Sequence, residues 1–408
     1  MKTIALVAPF FQDNTLRYVR ALADVGKCQA LLISQDPRER LPADLQDKIA
    51  GHYRVGNCMN GDDLARACRA FRKHFGELDG LYGVLEQLQE PMAQARELAD
   101  VPGMGSLIAK NFRDKAQMKD VLRAAGVPVA RHMLVERDLD ALDFVEKVGL
   151  PIILKPVAGL GSRGTYRIQT IEDLHQALKT LRPSIDAPLQ AEEFVVGREN
   201  TCETVTIAGK HVWSSGTWYM NRPLEVLENP WMQYCVILPR EDNLPEFKKF
   251  LPDNHAALTA LGMQTGLSHM EWFLRADGTH VVSEVGARPP GVQIMPMNGI
   301  AYEVDMLALW TKLMVHEEWP KKLTRKWAVG AAFFRGQGRG RKVAHVAGLD
   351  QAMITAVPYL VDANWPTVGK ARADGYEGEG WVIVKANDTA TVKDVLRQLV
   401  TLVQIRYA

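Results

Sequence analysis

The chain has 408 residues, 47% of them hydrophobic, enough to bury a large core divided over two or three domains, which excludes a single small module. Lys and Arg number 49 against 48 Asp and Glu, a net charge of +1, so no global field recruits polyanions; with no basic stripe interleaved with aromatics, nucleic acid is not expected as a partner. Five scattered cysteines (Cys28, Cys58, Cys68, Cys202 and Cys235) lack C-x-x-C spacing and argue against a disulfide framework; with no signal-like leader or membrane-length apolar run, a soluble, cytoplasmic protein without a membrane partner is expected.

The elements begin with an alternation. Residues 2–8, KTIALVA, read as a buried strand, 14–26 as an amphipathic helix stopping at Gly26, and 28–34, CQALLIS, as a second strand. A helix over 61–74 and a strand over 78–85 continue the pattern, so residues 1–105 read as a parallel-sheet α/β domain. Its first turn, APFFQDN, contains no glycine, which removes the dinucleotide fingerprint from the place where that fold carries it. A helix over 113–126 places Lys115 near its start and stops at Gly126, with Pro128 beyond. From there to about residue 330 the pattern is α+β, with helices over 171–181 and 302–314. Residues 331–408 read as a strand-rich piece closed by a helix.

Gly159, Gly161 and Gly164 have the spacing G-x-G-x-x-G, with Ser162 and Arg163 between them. A dinucleotide loop opens a helix, whereas Thr-Tyr-Arg-Ile after Gly164 alternates like a strand, and the next helix waits until residue 171. The loop therefore joins two antiparallel strands. Glycines there allow backbone N–H groups to turn toward phosphate oxygens, although a plain hairpin has the same look. A P-loop is excluded because Lys155 precedes the glycines. Lys155 ends the apolar run before Pro156, and either reaches the loop or is a solvated edge lysine; Lys115 by itself reads equally as surface charge. In QAEEFVVGRENTCE, residues 190–203, paired acids flank an aliphatic strand, which fits an adenine slot with Glu199 near a ribose or an ordinary amphipathic strand.

The segment GLSHMEWFLRADGTHVVSEVGARPPG, residues 266–291, reads as a hairpin with strands over 267–274 and 279–285. Glu271 and Glu284 lie on opposite strands where they can converge on one face, a natural hard-cation site; two solvent-facing carboxylates are the alternative. Arg288 offers a fork for a carboxylate or acyl phosphate, on a turn stiffened by Pro289, Pro290 and Gly291. His269 reads as a packed residue supporting the site, with a general-base role as the alternative. Trp218, Tyr219, Trp231 and Tyr234 wall a substrate pocket or pack in the core, and the Met and Ile residues of MPMNGIAYEVD pack.

Lysine before proline, a Gly-rich hairpin, EEFVVGRE, HMEWF and EVGARPPG, in this order, resemble the ATP-grasp superfamily over nearly the whole chain, and within it the carboxylate–amine ligases, particularly dipeptide-forming L-amino-acid ligases. The resemblance implies an α/β and α+β architecture: an N-terminal parallel-sheet domain over 1–105, an ATP-grasp core over 106–330 whose small lid-bearing part spans about 125–195, and a β-rich C-terminal subdomain over 331–408. It matches Lys115 and Lys155 to lysines on ATP phosphates and residues 159–164 to the lid. Glu192, Glu193, Phe194 and Val195 match the adenine hinge, and Glu199 the ribose acid. Glu271 and Glu284 match the Mg2+ ligands, with Mn2+ as a substitute, and Arg288 the catalytic arginine; Lys155 is assigned a catalytic part as well. Many members carry Asn as a third ligand where this chain has Gly286. Substrates are then a small-molecule carboxylate and an amine, most simply amino acids, with Trp218, His269, Pro290 and Gly291 on the substrate side; a homodimer is implied by likeness alone. The rivals are a carboxyphosphate-forming carboxylase and a nucleotide-binding scaffold without turnover.

Overall fold

The computed structural model describes residues 1–157, 164–229, 231–241, 244–373 and 375–408. The opening alternation folds as expected into a four-stranded parallel sheet, in the order Gly51–Arg54, Cys28–Ser34, Lys2–Val7 and Gly80–Tyr82. Its central strands are apolar at nearly every position because both faces are covered. Ala5, Val7, Leu31 and Ile33 face the helices Gly61–Phe75 and Gln89–Ala99, while Ile4, Leu6 and Leu32 face the helix Asp13–Asp24. That second face is also closed by the distant helix Met306–His316, whose Trp310 meets the Tyr18 ring edge-on at 5.0 Å.

The strand expected over 78–85 is only Gly80–Tyr82. The chain leaves the sheet at Gly83, where a side chain would strike Met92 at 2.8 Å; the missing Cβ lets the helix Gln89–Ala99 press against the turn. One tight turn, Glu86–Leu88, follows at the C-terminal end of the parallel strands.

A second, antiparallel sheet has the order His132–Val135, Leu189–Glu193, Ile152–Pro156, Tyr166–Ile168, with the helices Asp138–Val148 and Ile171–Leu181 packed on it. The third is an eight-stranded antiparallel sheet: His280–Gly286, Gly266–Leu274, Arg198–Ile207, Lys210–Tyr219, Tyr234–Leu238, Ala328–Phe334, Gly380–Ala386 and Leu360–Asn364. A three-stranded sheet of Gly336–Gln337, Gln404–Tyr407 and Val343–Ala347 flanks it. Together these make the expected α/β and α+β architecture.

Three sequence expectations need correction. The helix placed over 302–314 is two helices, Ile294–Tyr302 and Met306–His316. Glu303 takes a left-handed conformation (φ 54°) that stops the first, and the Asp305 carboxylate accepts from the Ala308 N–H to start the second. The segment 190–203 is two strands in two different sheets, with residues 194–197 as the link. The C-terminal region closes on the strand Gln404–Tyr407 after the helix Thr389–Leu402, and the eight-stranded sheet runs across residue 330, which lies within Ala328–Phe334.

Candidate active site

A cavity of about 1240 Å³ opens where the three large sheets meet. Lys155, Glu192, Glu193, Phe194 and Val195 line it from the small antiparallel sheet and its link, and Glu199, His269, Glu271 and Glu284 from the large one. Lys115, Arg288, Pro290 and Gly291 complete this set. Gly164 stands at φ 70° just before the returning strand, its ideal Cβ position 3.3 Å from Pro156, a left-handed conformation that glycine adopts without strain. The strands on either side pair antiparallel, Ile152 opposite Ile168 and Leu154 opposite Tyr166, as the sequence indicated. Gly159, Gly161, Ser162 and Arg163 lie outside the described residues.

Lys115 is the first residue of the helix Lys115–Ala124, which Asp114 caps by accepting from the Ala116 and Gln117 N–H groups at 3.0 Å. Its Nζ reaches across to Glu284 Oε1 at 2.6 Å. Lys155 ends its strand with Nζ 2.8 Å from Glu192 Oε1, and the same oxygen lies 2.7 Å from Lys119 Nζ. Burial would neutralise Glu192, but the Lys119 and Lys155 charges hold its carboxyl well below the usual range, so it is ionised. The Glu193 carboxylate is taken by Arg131 at 2.6 Å and Arg275 at 2.9 Å. Two N–H groups at the expected hinge are already committed: Glu193 donates to the Arg131 carbonyl and Phe194 to the Pro151 carbonyl. The Phe194 ring lies under the Arg167 guanidinium at 4.1 Å, with that of Arg222 at 5.2 Å. Val195 packs with Ala130 and Val281.

Glu271 and Glu284 are direct cross-strand partners, with a bulge immediately after Glu271 that re-aims the strand. Glu199 is buried nearby; burial first, and then the Glu271 charge, push its carboxyl well above the usual range. The excess of carboxylate at this end calls for a cation. Among the described residues no three His, Cys, Asp or Glu side chains form a metal cluster, so an all-protein cage does not fit. Two glutamate oxygens do fit Mg2+ of the kind shared with substrate phosphates and water. At Gly286 an added Cβ would meet nothing closer than Arg288 Cγ at 3.5 Å, so the lack of a third ligand there is not enforced by crowding.

His269 stands beside this pair, Nε2 3.8 Å from Glu271 and Nδ1 2.8 Å from Glu203, which is buried. Burial disfavours the imidazolium, but the contacts with Glu203 and Glu271 outweigh it and raise the pKa to about 9, so both ring nitrogens carry protons at neutral pH. The geometry makes His269 a charged support for Glu271. Arg288 donates from Nε and Nη2 to Glu86 Oε2 at 3.0 and 2.7 Å and from Nη1 to the Pro289 carbonyl at 2.9 Å. The other Glu86 oxygen accepts from Arg113.

Trp218 is not brought to the cavity. Successive strand residues face opposite sides, so Tyr219 lines the cavity, its hydroxyl 3.4 Å from Glu271, while Trp218 lies under Arg198 and Lys393 on the other side. Trp231 is exposed, and Tyr234 is fully buried behind Tyr219. Sequence reasoning missed Glu86, Lys119, Glu203 and Tyr376, the last reaching the cavity from the C-terminal region. Only Lys119 had a local signal: it follows Lys115 by four residues on one helix face.

Residues 114–198 match the family model described as carbamoyl-phosphate synthase L chain, ATP binding domain. The chain is 35% identical over 224 residues to a D-alanine–D-alanine ligase of Frankia casuarinae, covering 53% of this chain and 55% of that one. It is 27% identical over 208 residues to an L-arginine-specific L-amino acid ligase of Bacillus subtilis, covering 50% and 49%. The matched region thus spans about half the length of these curated relatives. The crystal structure of an L-amino acid ligase from Bacillus licheniformis superposes over 100% of this chain and 99% of that one, with a TM-score of 0.79 at 18% identity.

Proposed function

We propose that this chain is an ATP-grasp protein and an ADP-forming ligase that activates a carboxylate as its acyl phosphate and joins it to an amine, both from amino acids; the family model over 114–198 and the superposed L-amino acid ligase fold support this. One observation carries the reading: Lys115, Lys155 and Arg288 converge with the cross-strand glutamates Glu271 and Glu284 on a single cavity. Attack of a carboxylate on a γ-phosphate brings two anions together, and such a reaction needs fixed positive charge more than it needs a base.

In this reading the lysines hold the triphosphate, residues 192–195, at the end of the strand Leu189–Glu193 and the start of the link, border the adenine, and Glu199 borders the ribose. Glu271 and Glu284 would hold Mg2+, which would supply neutralising charge to the phosphates. A carboxylate oxygen forms a bond to the γ-phosphorus as the bond to ADP breaks. The amine nitrogen then bonds to the acyl carbon, phosphate leaves with its bridging oxygen, and the nitrogen loses a proton. Arg288, held by Glu86 and the Pro289 carbonyl, keeps N–H groups for the acyl phosphate and the tetrahedral oxyanion. Pro290 and Gly291 border the substrates. The working units are residues 1–105, an ATP-grasp core from residue 106, and a C-terminal subdomain ending at 408 that shares the strand Ala328–Phe334 with that core, and the enzyme is cytoplasmic and homodimeric. No helix among the described residues is long and apolar enough to cross a membrane.

The test is ADP and phosphate release from ATP and Mg2+ across a matrix of paired amino acids, with products identified by mass and Glu284→Gln as the blank. Release that requires a particular pair and gives a condensed, dehydrated product supports the ligase. Release stimulated by bicarbonate alone replaces it with the carboxyphosphate chemistry, and ATP binding without any release leaves a nucleotide-binding scaffold.

A further inference from the structure

Lys119 has no part in the chemistry above, yet it is fully buried, an expensive place for an ammonium group. It lies one helical turn beyond Lys115 on the same face of the helix Lys115–Ala124. Lys115 reaches the cavity and Glu284; Lys119 stops behind it, its Nζ 2.7 Å from Glu192 Oε1. Lys155 approaches that same oxygen from the cavity side at 2.8 Å. Glu192 is therefore a wall between a lysine that lines the cavity and one that does not.

One consequence follows from this shared oxygen. The carboxylate is held from behind, which fixes where Lys155 rests.

We propose that Lys119 is a positioning residue for the ATP triphosphate, acting through Glu192 to set the place of Lys155. This rests on the reading of Lys155 as a phosphate-binding group. Burial pushes the Lys119 pKa down against the pull of Glu192, in keeping with a charge kept at a cost to stability.

The experiment is ATP binding with Mg2+ by isothermal titration calorimetry, amino acids omitted, on wild type, Lys155→Met, Lys119→Met, Lys119→Arg, Glu192→Gln and the Lys119→Met/Glu192→Gln double variant. Lys119→Met is expected to weaken ATP about tenfold while Lys119→Arg restores it to within about threefold, a rescue that loss of packing alone would not give. Glu192→Gln weakens ATP about as much, and the double variant is no worse than Glu192→Gln, because both changes cut one relay. Wild-type affinity in Lys119→Met, or losses that simply add in the double variant, overturn the proposal. If Lys119→Met does not fold, wild-type affinity in Glu192→Gln overturns it alone. Failure of wild type to bind ATP, or wild-type affinity in Lys155→Met, overturns the nucleotide reading itself, an outcome distinct from failure of Lys119 alone.

Discussion

Glu86→Gln isolates the clamp on Arg288. Glu86 is 5% exposed and accepts two hydrogen bonds from Arg288 on one oxygen and one from Arg113 on the other. A glutamine of the same shape keeps one acceptor, turns N–H groups toward the other guanidinium, and leaves two adjacent buried cations without their counter-charge. Hydrogen bonds to charged groups contribute about 1.5–3 kcal/mol each, and losing one contact outright while weakening the others gives about 3–5 kcal/mol, the cost typical of breaking a buried ion pair from one side, about 3–5 kcal/mol. Arg288 also loses its fixed orientation, so turnover is expected to fall by about 100-fold or more, as when one oxyanion donor is removed. The ATP KM stays within about threefold because Arg288 is assigned to the acyl phosphate and not to ATP. Urea unfolding followed by circular dichroism reads the first effect and steady-state ADP release the second. A stability loss below about 1 kcal/mol together with wild-type kcat would show that Arg288 is set by other contacts, and the reasoning from Glu86 would be wrong.

Glu284→Gln is expected to abolish Mg2+-dependent ADP release and to weaken Mn2+ binding in the presence of ADP by about 10–100-fold, the range for disturbed metal sites; Mn2+ titration by electron paramagnetic resonance measures this, and unchanged affinity would remove Glu284 from the metal. For Glu203→Gln the sign follows from the raised His269 pKa: the stability that Glu203 lends through His269 is fully present below about 6.5, the unfolded value, and is lost as pH rises through about 9. Unfolding of wild type and variant at pH 6, 8 and 10 should show a shrinking gap, and a constant gap contradicts the assignment. Asp114→Ala removes a cap with two N–H partners, a loss of about 1 kcal/mol, and loosens Lys115 at the helix start, so urea midpoint and ATP affinity should fall together; a drop in stability alone separates the cap from the site.

Much of the site was readable from local pattern. Period-two alternation after Gly164 makes the glycine segment a link between two antiparallel strands, and the same period places Glu271 and Glu284 across a ladder, where the structure pairs them directly. Asp114, Thr170 and Asp305 cap helices with their own side chains, but only where the sequence carried an uninterrupted apolar rhythm was the helix placed well: the run ending at Tyr302 and the one starting at Met306 blurred into one. Trp218 and Tyr219 show the other failure. Both are aromatic and adjacent, and strand geometry requires that they face opposite sides, yet which one meets the cavity depends on which face of the sheet the rest of the chain covers.

What the sequence by itself determined, then, is everything that depends on neighbours along the chain: the parallel alternation at the start, the glycine hairpin, the caps, and the pairing of the two glutamates. Tertiary structure alone decided the long-range charge partners. Glu86 lies 202 residues from Arg288, and Lys115 lies 169 residues from Glu284. The burial of Lys119 and Glu203 likewise follows from layers contributed by distant segments. A buried charge is stable only beside its counter-charge, and nothing in local spacing encodes which distant carboxylate will arrive, because that contact is selected by how whole sheets pack.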